Sequence, residues 1–488
     1  MTGLAACLQQ LPGARAVGLV QEGILRVHTD TRSLQAGDLF VALRGERFDA
    51  HSFLPQAKAQ GAVAAVAESG LQQAGLPGVE VPDTRLALGQ LAKLWRQQYR
   101  LPLIAVTGSN GKTTVTQMIA AILRAACGAA TNTTNAAADA VVLATQGNFN
   151  NDIGLPLTLL RLRASHQLGV VELGMNHPGE IAYLADVAQP TVALVNNAQR
   201  EHQEFMHSVQ AVARENGAVI AALPADGVAV FPADDTYAPI WQELAGARPC
   251  LRFALQAQAD ADVYAQQLQW LGDHWQVQAH TPAGELRFDL HVAGRHNVKN
   301  ALAAAACAMD AGVGLPHIAA GLSAFAPVQG RSRAMQLMWQ GRAISLVDDS
   351  YNANPDSVLA AIDLLRELPA PRVLVLGDMG EVGEQGVAFH EEVGRYAAAQ
   401  GVEQLLTLGA LARHSASQHP QAAHAGDAAE DWPQAWQTLQ TWLPQAGSVL
   451  VKGSRFMGMD RIVQAALQAA RQAQDATGAP AKGERTCC

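Results

Sequence analysis

The chain is expected to be an α/β protein of about three domains, with a parallel sheet and a phosphate-type loop at its centre. Three observations point there. Its 488 residues are enough for about three domains. Nearly half of them (49%) are hydrophobic, with 43 glycines and few aromatics, which suits α/β cores. Residues 101–114, LPLIAVTGSNGKTT, read as strand, glycine loop and helix start.

Taken in order, residues 1–98 hold short strands and a helix, as in DLFVALRG followed by HSFLPQAKAQGAVAAVAE. A helical segment, Leu86 to Tyr99, leads into Leu101-Pro102. Residues 99–326 form the nucleotide-binding region. Inside it, Pro224 to Leu290 alternates apolar and polar residues between turn signals and is expected to be an antiparallel appendage. The small loop Ala326-Pro327-Val328-Gln329-Gly330 marks the next boundary, and a βαβ-rich region covers 327–470. Residues 471–488, rich in Ala, Gln, Gly and Lys, are expected to be a disordered tail.

Composition excludes several classes. A formal net charge of −9 argues against nucleic acid as a partner. No apolar run is long enough to span a membrane. Leu4-Ala5-Ala6-Cys7 looks like a lipoprotein cleavage box, but no basic segment and no apolar stretch precede it, so export is not expected. The six cysteines lack metal-ligand spacing and are expected to be reduced thiols of a cytoplasmic protein. The terminal Cys487-Cys488 pair falls in the tail.

In Gly108-Ser109-Asn110-Gly111-Lys112-Thr113-Thr114, the glycines let the backbone curl so that N–H groups and a helix N-terminus meet phosphate oxygens. Lys112 is placed to reach the β- and γ-phosphates of ATP or GTP, and the Thr113 hydroxyl to ligate Mg²⁺. The two glycines have two residues between them where the common loop has four. An ordinary glycine turn is the competing reading, and the Lys-Thr-Thr run with both flanking elements disfavours it.

Several apolar strands end in polar residues: Gly169–Val171 at Glu172, Thr191–Val195 at Asn196-Asn197 and then His202, Ala343–Val347 at Asp348-Asp349, Arg372–Leu376 at Gly377-Asp378, and Ser448–Val451 at Lys452-Gly453-Ser454-Arg455. Open parallel sheets bind ligands beyond the carboxyl ends of their strands, so this bias points to a site. Glu172 can complete a Mg²⁺ shell begun by Thr113 and phosphate, or be a surface carboxylate. His202 can serve a metal or be structural. Asn297 and Asn300 share a helix face and suit a base edge such as adenine, while Asn297 alone suits a helix cap. Asp349 can take ribose hydroxyls, and Arg331 or Arg333 can meet phosphate. Asn354-Pro355-Asp356-Ser357 reads as a helix start.

With these residues in place, the chain resembles the Mur ligases of peptidoglycan synthesis over all but the tail. TGSNGKTT resembles that family's phosphate loop, which accounts for the short glycine spacing. DTRSLQAGDLFVALRGERFDAHSF, GNFNNDIGLPLTLL, DDSYNANPDS with LGDMGEVGEQGVAFHEEVG, and VLVKGSR resemble the branch that joins D-alanyl-D-alanine to UDP-N-acetylmuramoyl-tripeptide. The resemblance implies an N-terminal domain (1–98) for the UDP end of that substrate, an ATPase core, and a Rossmann-like C-terminal domain. It implies substrate contacts at Thr31, Arg32, Lys452 and Arg455, and phosphate and Mg²⁺ positions at Lys112, Thr113, Glu172 and His202. Adenine, phosphate and ribose would fall to Asn300, Arg331 and Asp349. Such ligases phosphorylate a carboxylate with ATP and let an amine displace the phosphate, and a monomer is expected.

A folate polyglutamate ligase shares this core but lacks the UDP-binding domain, against which DTRSLQAGDLFVAL speaks. The sister ligase adding the third amino acid carries an Asp-Asn-Pro-Arg stretch that is absent here. A non-catalytic nucleotide switch is the reading from another class. One departure stands out. Several family members carry a carbamylated lysine fourteen residues after the metal-binding histidine, and here that position is Asn216. The second Mg²⁺ is therefore expected to rely on His202, phosphate, water and the Asn216 amide.

Overall fold

The computed structural model describes residues 1–20, 23–45, 48–128 and 140–477. Three sheets follow one another along the chain. The first contains β1 (Arg15–Val17), β2 (Arg26–His28), β3 (Asp38–Val41), β4 (Ala64–Ala67) and β5 (Gly78–Glu80), in the order β1-β5-β4-β3-β2. Only β1 runs antiparallel to its neighbour. Helix Thr84–Arg96, capped by Asp83 through the N–H groups of Arg85 and Leu86, leaves this sheet and packs on the next layer. There Trp95 donates its indole N–H to the Leu162 carbonyl at 3.1 Å, and Lys93 pairs with Asp186 at 2.7 Å. One apolar core therefore runs from Leu4 and Leu8 through Trp95 to Leu173.

The second sheet has nine strands: β6 (Leu103–Thr107), β7 (Val142–Ala144), β8 (Leu168–Glu172), β9 (Val192–Val195), β10 (Val228–Pro232), β11 (Cys250–Ala254), β12 (Val263–Trp270), β13 (Trp275–Thr281) and β14 (Gly284–Leu290). Their order is β14-β13-β12-β11-β10-β9-β6-β8-β7. The segment Pro224–Leu290 is thus only partly the expected antiparallel appendage. β10 and β11 extend the parallel sheet beside β9, and the antiparallel ribbon starts at β12. Helices Lys112–Ala126 and Arg295–Asp310 cover one face, and the alanines from Ala301 to Ala308 lie fully buried against it.

The third sheet contains β15 (Arg333–Trp339), β16 (Arg342–Asp349), β17 (Arg372–Gly377), β18 (Gln404–Leu408), β19 (Ala422–His424) and β20 (Ser448–Lys452), in the order β15-β16-β20-β17-β18-β19. All its pairings but β15–β16 are parallel, giving a Rossmann-like layer. Helix Pro355–Arg366 begins at an Asn354 capping box, as the Asn-Pro-Asp-Ser run predicts. The last helix, Asp460–Thr477, carries residues 471–477 of the expected tail as helix, and 478–488, with Cys487 and Cys488, lie outside the described residues. Cys7, Cys127, Cys250 and Cys307 are free thiols. Among the described residues no helix is long and apolar enough to cross a membrane.

Candidate active site

β6, β8 and β9 are parallel neighbours, as are β16, β20 and β17, and the polar ends of β8, β9, β16 and β20 meet at one cleft of about 1630 Å³. Asp378, after β17, instead turns away and accepts from the Leu411 and Ala412 N–H groups at 3.0 and 2.7 Å. Ser109 to Thr114, Glu172, His202 and Asn300 line it from the central sheet. Arg331, Asp349, Lys452 and Arg455 line it from the C-terminal one.

The glycine loop is held by asparagines. Gly108 (φ +128°) and Gly111 (φ +80°) adopt left-handed backbone, where a Cβ would lie 3.0 Å from Asn196 Cβ and 2.8 Å from Asn300 Oδ1. Asn110 N–H donates to Asn197 Oδ1 at 2.8 Å, and the Asn196 and Asn197 amides donate to the Asn110 carbonyl at 2.8 and 2.9 Å. Gly108 N–H donates to Asn216 Oδ1 at 2.9 Å. Helix Lys112–Ala126 then begins without a side-chain cap, so first-turn N–H groups remain for an anion. Lys112 Nζ donates to the carbonyls of Gly108 (2.5 Å) and Ser109 (3.2 Å) and lies 3.4 Å from Glu201.

Among the described residues, three oxygens in this cleft are buried without a hydrogen-bond partner: Thr113 Oγ1, Glu172 Oε2 and Asn196 Oδ1. The other Glu172 oxygen accepts from Asn150 at 2.8 Å. One hydroxyl and one carboxylate oxygen left open beside a phosphate loop fit Mg²⁺, which completes its shell with phosphate and water. Among the described residues no group of three His, Cys, Asp or Glu forms an all-protein metal cage. His202 takes a left-handed backbone (φ +47°), uncommon for a non-glycine residue. Its Nδ1 lies 2.6 Å from Glu381 of the C-terminal layer, and that contact holds the Glu381 carboxyl below its ordinary range.

Asn216 corrects the expectation that its amide serves a second metal. The side chain is buried; Oδ1 is taken by Gly108 and Nδ2 points to Glu201 at 3.5 Å. Its neighbour Glu215 instead accepts from Gly179 and Ile181 N–H, both at 2.9 Å, at the start of helix Glu180–Ala188. Asn300 lines the cleft, but its Oδ1 accepts from Asn196 at 2.9 Å and its Nδ2 donates to Asn297 at 3.1 Å. Asn297 does not cap its helix. Its Nδ2 donates to the Ala293 carbonyl at 2.8 Å, and Gly294 holds the cap position. His296, partly buried beside it at the cleft, is held below its ordinary pKa by desolvation.

On the opposite wall, Asp348 and Asp349 bracket Arg331 by accepting from Gly330 N–H (3.0 Å) and Ser332 N–H (2.9 Å). Lys452 Nζ donates to Asp349 Oδ2 at 2.6 Å and to the Asn352 carbonyl at 2.9 Å. Both Asp349 oxygens are therefore engaged. The guanidinium groups of Arg331 and Arg455 lie 4.1 and 4.9 Å from the Tyr351 ring, a cation–π pairing absent from the sequence reading. Thr31 and Arg32 do not line the cleft: Thr31 is buried in the turn Thr31–Ser33, and exposed Arg32 pairs with Asp30 at 2.6 Å. Glu201 and Tyr351 are site residues that the sequence does not announce, because their partners Lys112, Arg331 and Arg455 lie far away along the chain.

Three family matches tile the chain: "Mur ligase family, catalytic domain" over residues 24–96, "Mur ligase middle domain" over 106–308, and "Mur ligase, glutamate ligase domain" over 333–455. The UDP-N-acetylmuramoyl-tripeptide–D-alanyl-D-alanine ligase of Escherichia coli is 42% identical over 441 residues, covering 90% of this chain and 93% of that one. The crystal structure of MurF from Acinetobacter baumannii superposes with a TM-score of 0.85 at 35% identity, covering 95% of this chain and 98% of that chain. MurF from Thermotoga maritima, solved in complex with ADP, shares the fold at a TM-score of 0.77 and 23% identity, covering 92% and 99%. The chain belongs to the Mur ligase family, with UDP-N-acetylmuramoyl-tripeptide–D-alanyl-D-alanine ligases among its relatives.

Proposed function

We propose that this chain joins D-alanyl-D-alanine to UDP-N-acetylmuramoyl-tripeptide at the expense of ATP, as a cytoplasmic monomer in peptidoglycan precursor synthesis. The observation that carries the reading is the single cleft in which Lys112 and the uncapped helix start face Arg331, Arg455 and Lys452 from another sheet. A tripeptide carboxylate attacking a triphosphate brings two anions together, and cations on both walls lower that repulsion. In the first step a carboxylate oxygen bonds to the γ-phosphorus as the bond to ADP breaks. In the second, the dipeptide amine bonds to the acyl carbon, phosphate leaves with the electron pair, and the amine gives up a proton.

Lys112 and the loop N–H groups hold the phosphates, and Arg331, fixed by Asp348 and Asp349, meets charge on the transferred group. Thr113, Glu172 and His202 are the residues that would hold Mg²⁺, which would neutralise phosphate charge. Thr31 and Arg32, outside the cleft, are assigned to the UDP end, and Asn300 and Asp349 to the nucleoside. The relatives do not favour a folate ligase or a nucleotide switch. Mass spectrometry of the product after ATP turnover with UDP-N-acetylmuramoyl-tripeptide, with and without D-alanyl-D-alanine, tests the reading. ATP consumption without the new amide would overturn it.

A further inference from the structure

The cleft needs both of its walls, so what fixes one wall against the other bears directly on the reaction. Arg200 sits between Asn197 and His202 on the segment that follows β9, yet it does not line the cleft. Its side chain leaves the central layer and enters the C-terminal one. Nε and Nη2 donate to Asp356 Oδ1 at 3.0 and 2.6 Å, and the Arg200 backbone N–H donates to Asp356 Oδ2 at 2.7 Å. Nη1 and Nη2 donate to the two oxygens of Glu392 at 2.7 and 3.3 Å. The guanidinium also lies 5.2 Å from the Phe389 ring.

Asp356 belongs to helix Pro355–Arg366, and Glu392 and Phe389 to helix Gly386–Ala399, so one planar fork ties two helices of the third sheet to the second. Burial disfavours the charge, but the hydrogen bonds Arg200 donates to Asp356 and Glu392 outweigh it and keep Arg200 firmly protonated. A second, uncharged tie lies beside it. Asn110 of the phosphate loop and Asn354, the cap of the Asp356 helix, exchange side-chain amide hydrogen bonds at 3.2 and 2.9 Å.

Resting on the ligase reading above, we propose that Arg200 is a positioning residue: it clasps Asp356 and Glu392 so that the C-terminal wall closes over the phosphate loop and shields the acyl phosphate from water. The clasp acts through placement: Arg200 does not itself line the cleft, but its partner Asp356 does. A loosened wall misplaces Arg331 and Lys452 and admits water, so activated carboxylate is hydrolysed before the amine arrives.

The test compares R200A, R200K and the double variant D356N/E392Q with wild type. Phosphate released and amide formed are measured in the same reaction, and the radius of gyration is measured by small-angle X-ray scattering with a non-hydrolysable ATP analogue. R200A is expected to lower kcat about tenfold to a hundredfold, to release phosphate in excess of amide, and to increase the radius of gyration. R200K, with one ammonium in place of a fork, is expected to fall between R200A and wild type. A merely structural role would lower active protein without changing the phosphate-to-amide ratio. If R200A does not fold, D356N/E392Q keeps side-chain shape and carries the same comparison. Wild-type coupling and wild-type dimensions in a folded variant would overturn the clasp. Absence of amide product from the wild type would overturn the ligase reading instead, and the scattering comparison would still decide the clasp.

Discussion

Replacing Asn216 by alanine probes the loop at its root. Asn216 is 1% exposed, and its Oδ1 is the acceptor for Gly108 N–H at 2.9 Å. Its second contact, 3.5 Å to Glu201, is at the limit of a hydrogen bond and contributes little. N216A therefore removes one good acceptor and leaves a buried backbone donor unpaired, which costs about 1–3 kcal/mol. If the loop alone opens, that corresponds to about 5- to 150-fold fewer molecules in the ATP-ready geometry, read as a higher KM for ATP. If the whole central layer feels the loss, Tm falls by about 2–4 °C per kcal/mol.

Two further substitutions separate causes. N216D keeps an acceptor for Gly108 but sets a second carboxylate against Glu201, so its KM for ATP should rise although the loop hydrogen bond is kept. N216K removes the acceptor, and bicarbonate should not restore activity. Steady-state kinetics across ATP concentration with parallel thermal melts read all three. Unchanged KM and Tm in N216A, or bicarbonate-dependent recovery in N216K, would refute the assignment of Asn216 as a loop anchor.

K112A should abolish ligation in a protein that still folds, because the lost cation costs several kcal/mol of transition-state stabilisation; near-normal turnover would remove Lys112 from the phosphate site. R32A should raise the KM for UDP-N-acetylmuramoyl-tripeptide with little change for ATP. Arg32 is exposed and pairs only locally with Asp30, so a Tm shift should not accompany it. Stability should fall as pH drops below about 6.5, the ordinary value for histidine. Burial depresses His296 and His390 in the folded state, so the unfolded chain binds more protons below that pH and gains from it, while above it the full stability is present. His390 carries part of this slope: Nδ1 donates to the Gly386 carbonyl at 2.7 Å and Nε2 accepts from Met379 N–H at 3.1 Å, an acceptor that protonation removes. H390Q should flatten the slope of Tm against pH, and an unchanged slope would exclude His390 as a contributor.

What was legible in the sequence was local in the chain. Strand, loop and helix at 101–126 are contiguous, and each strand end carries its polar residue with it. β10 was legible in principle as well. Val228–Pro232 is buried at every position, as a parallel strand covered on both faces should be, but the alternation of the neighbouring β12–β14 ribbon masked it. Residues 471–477 follow the same lesson: Ala and Gln favour helix even where composition suggests disorder. The contacts that shape the site join residues far apart, Gly108 to Asn216 and Arg200 to Glu392, and no local period announces such pairs.

The choice of amides around the loop follows from the charge the site must accept. Asn110, Asn196, Asn197, Asn216, Asn300 and Asn354 form the frame in which the phosphate loop is held. Each amide offers a donor and an acceptor, so it can link loop carbonyls and N–H groups in either direction. An aspartate in the same places could accept but not donate, and it would set a full negative charge beside bound phosphates, where burial strengthens repulsion. Apart from Glu172, left open toward a metal, carboxylates here stand where a cation answers them: Glu201 beside Lys112, Asp349 on Lys452, and Asp356 and Glu392 on Arg200. Rigidity near the phosphates is thus supplied by neutral groups, while paired charges stand within each wall and, at Arg200, join one wall to the other.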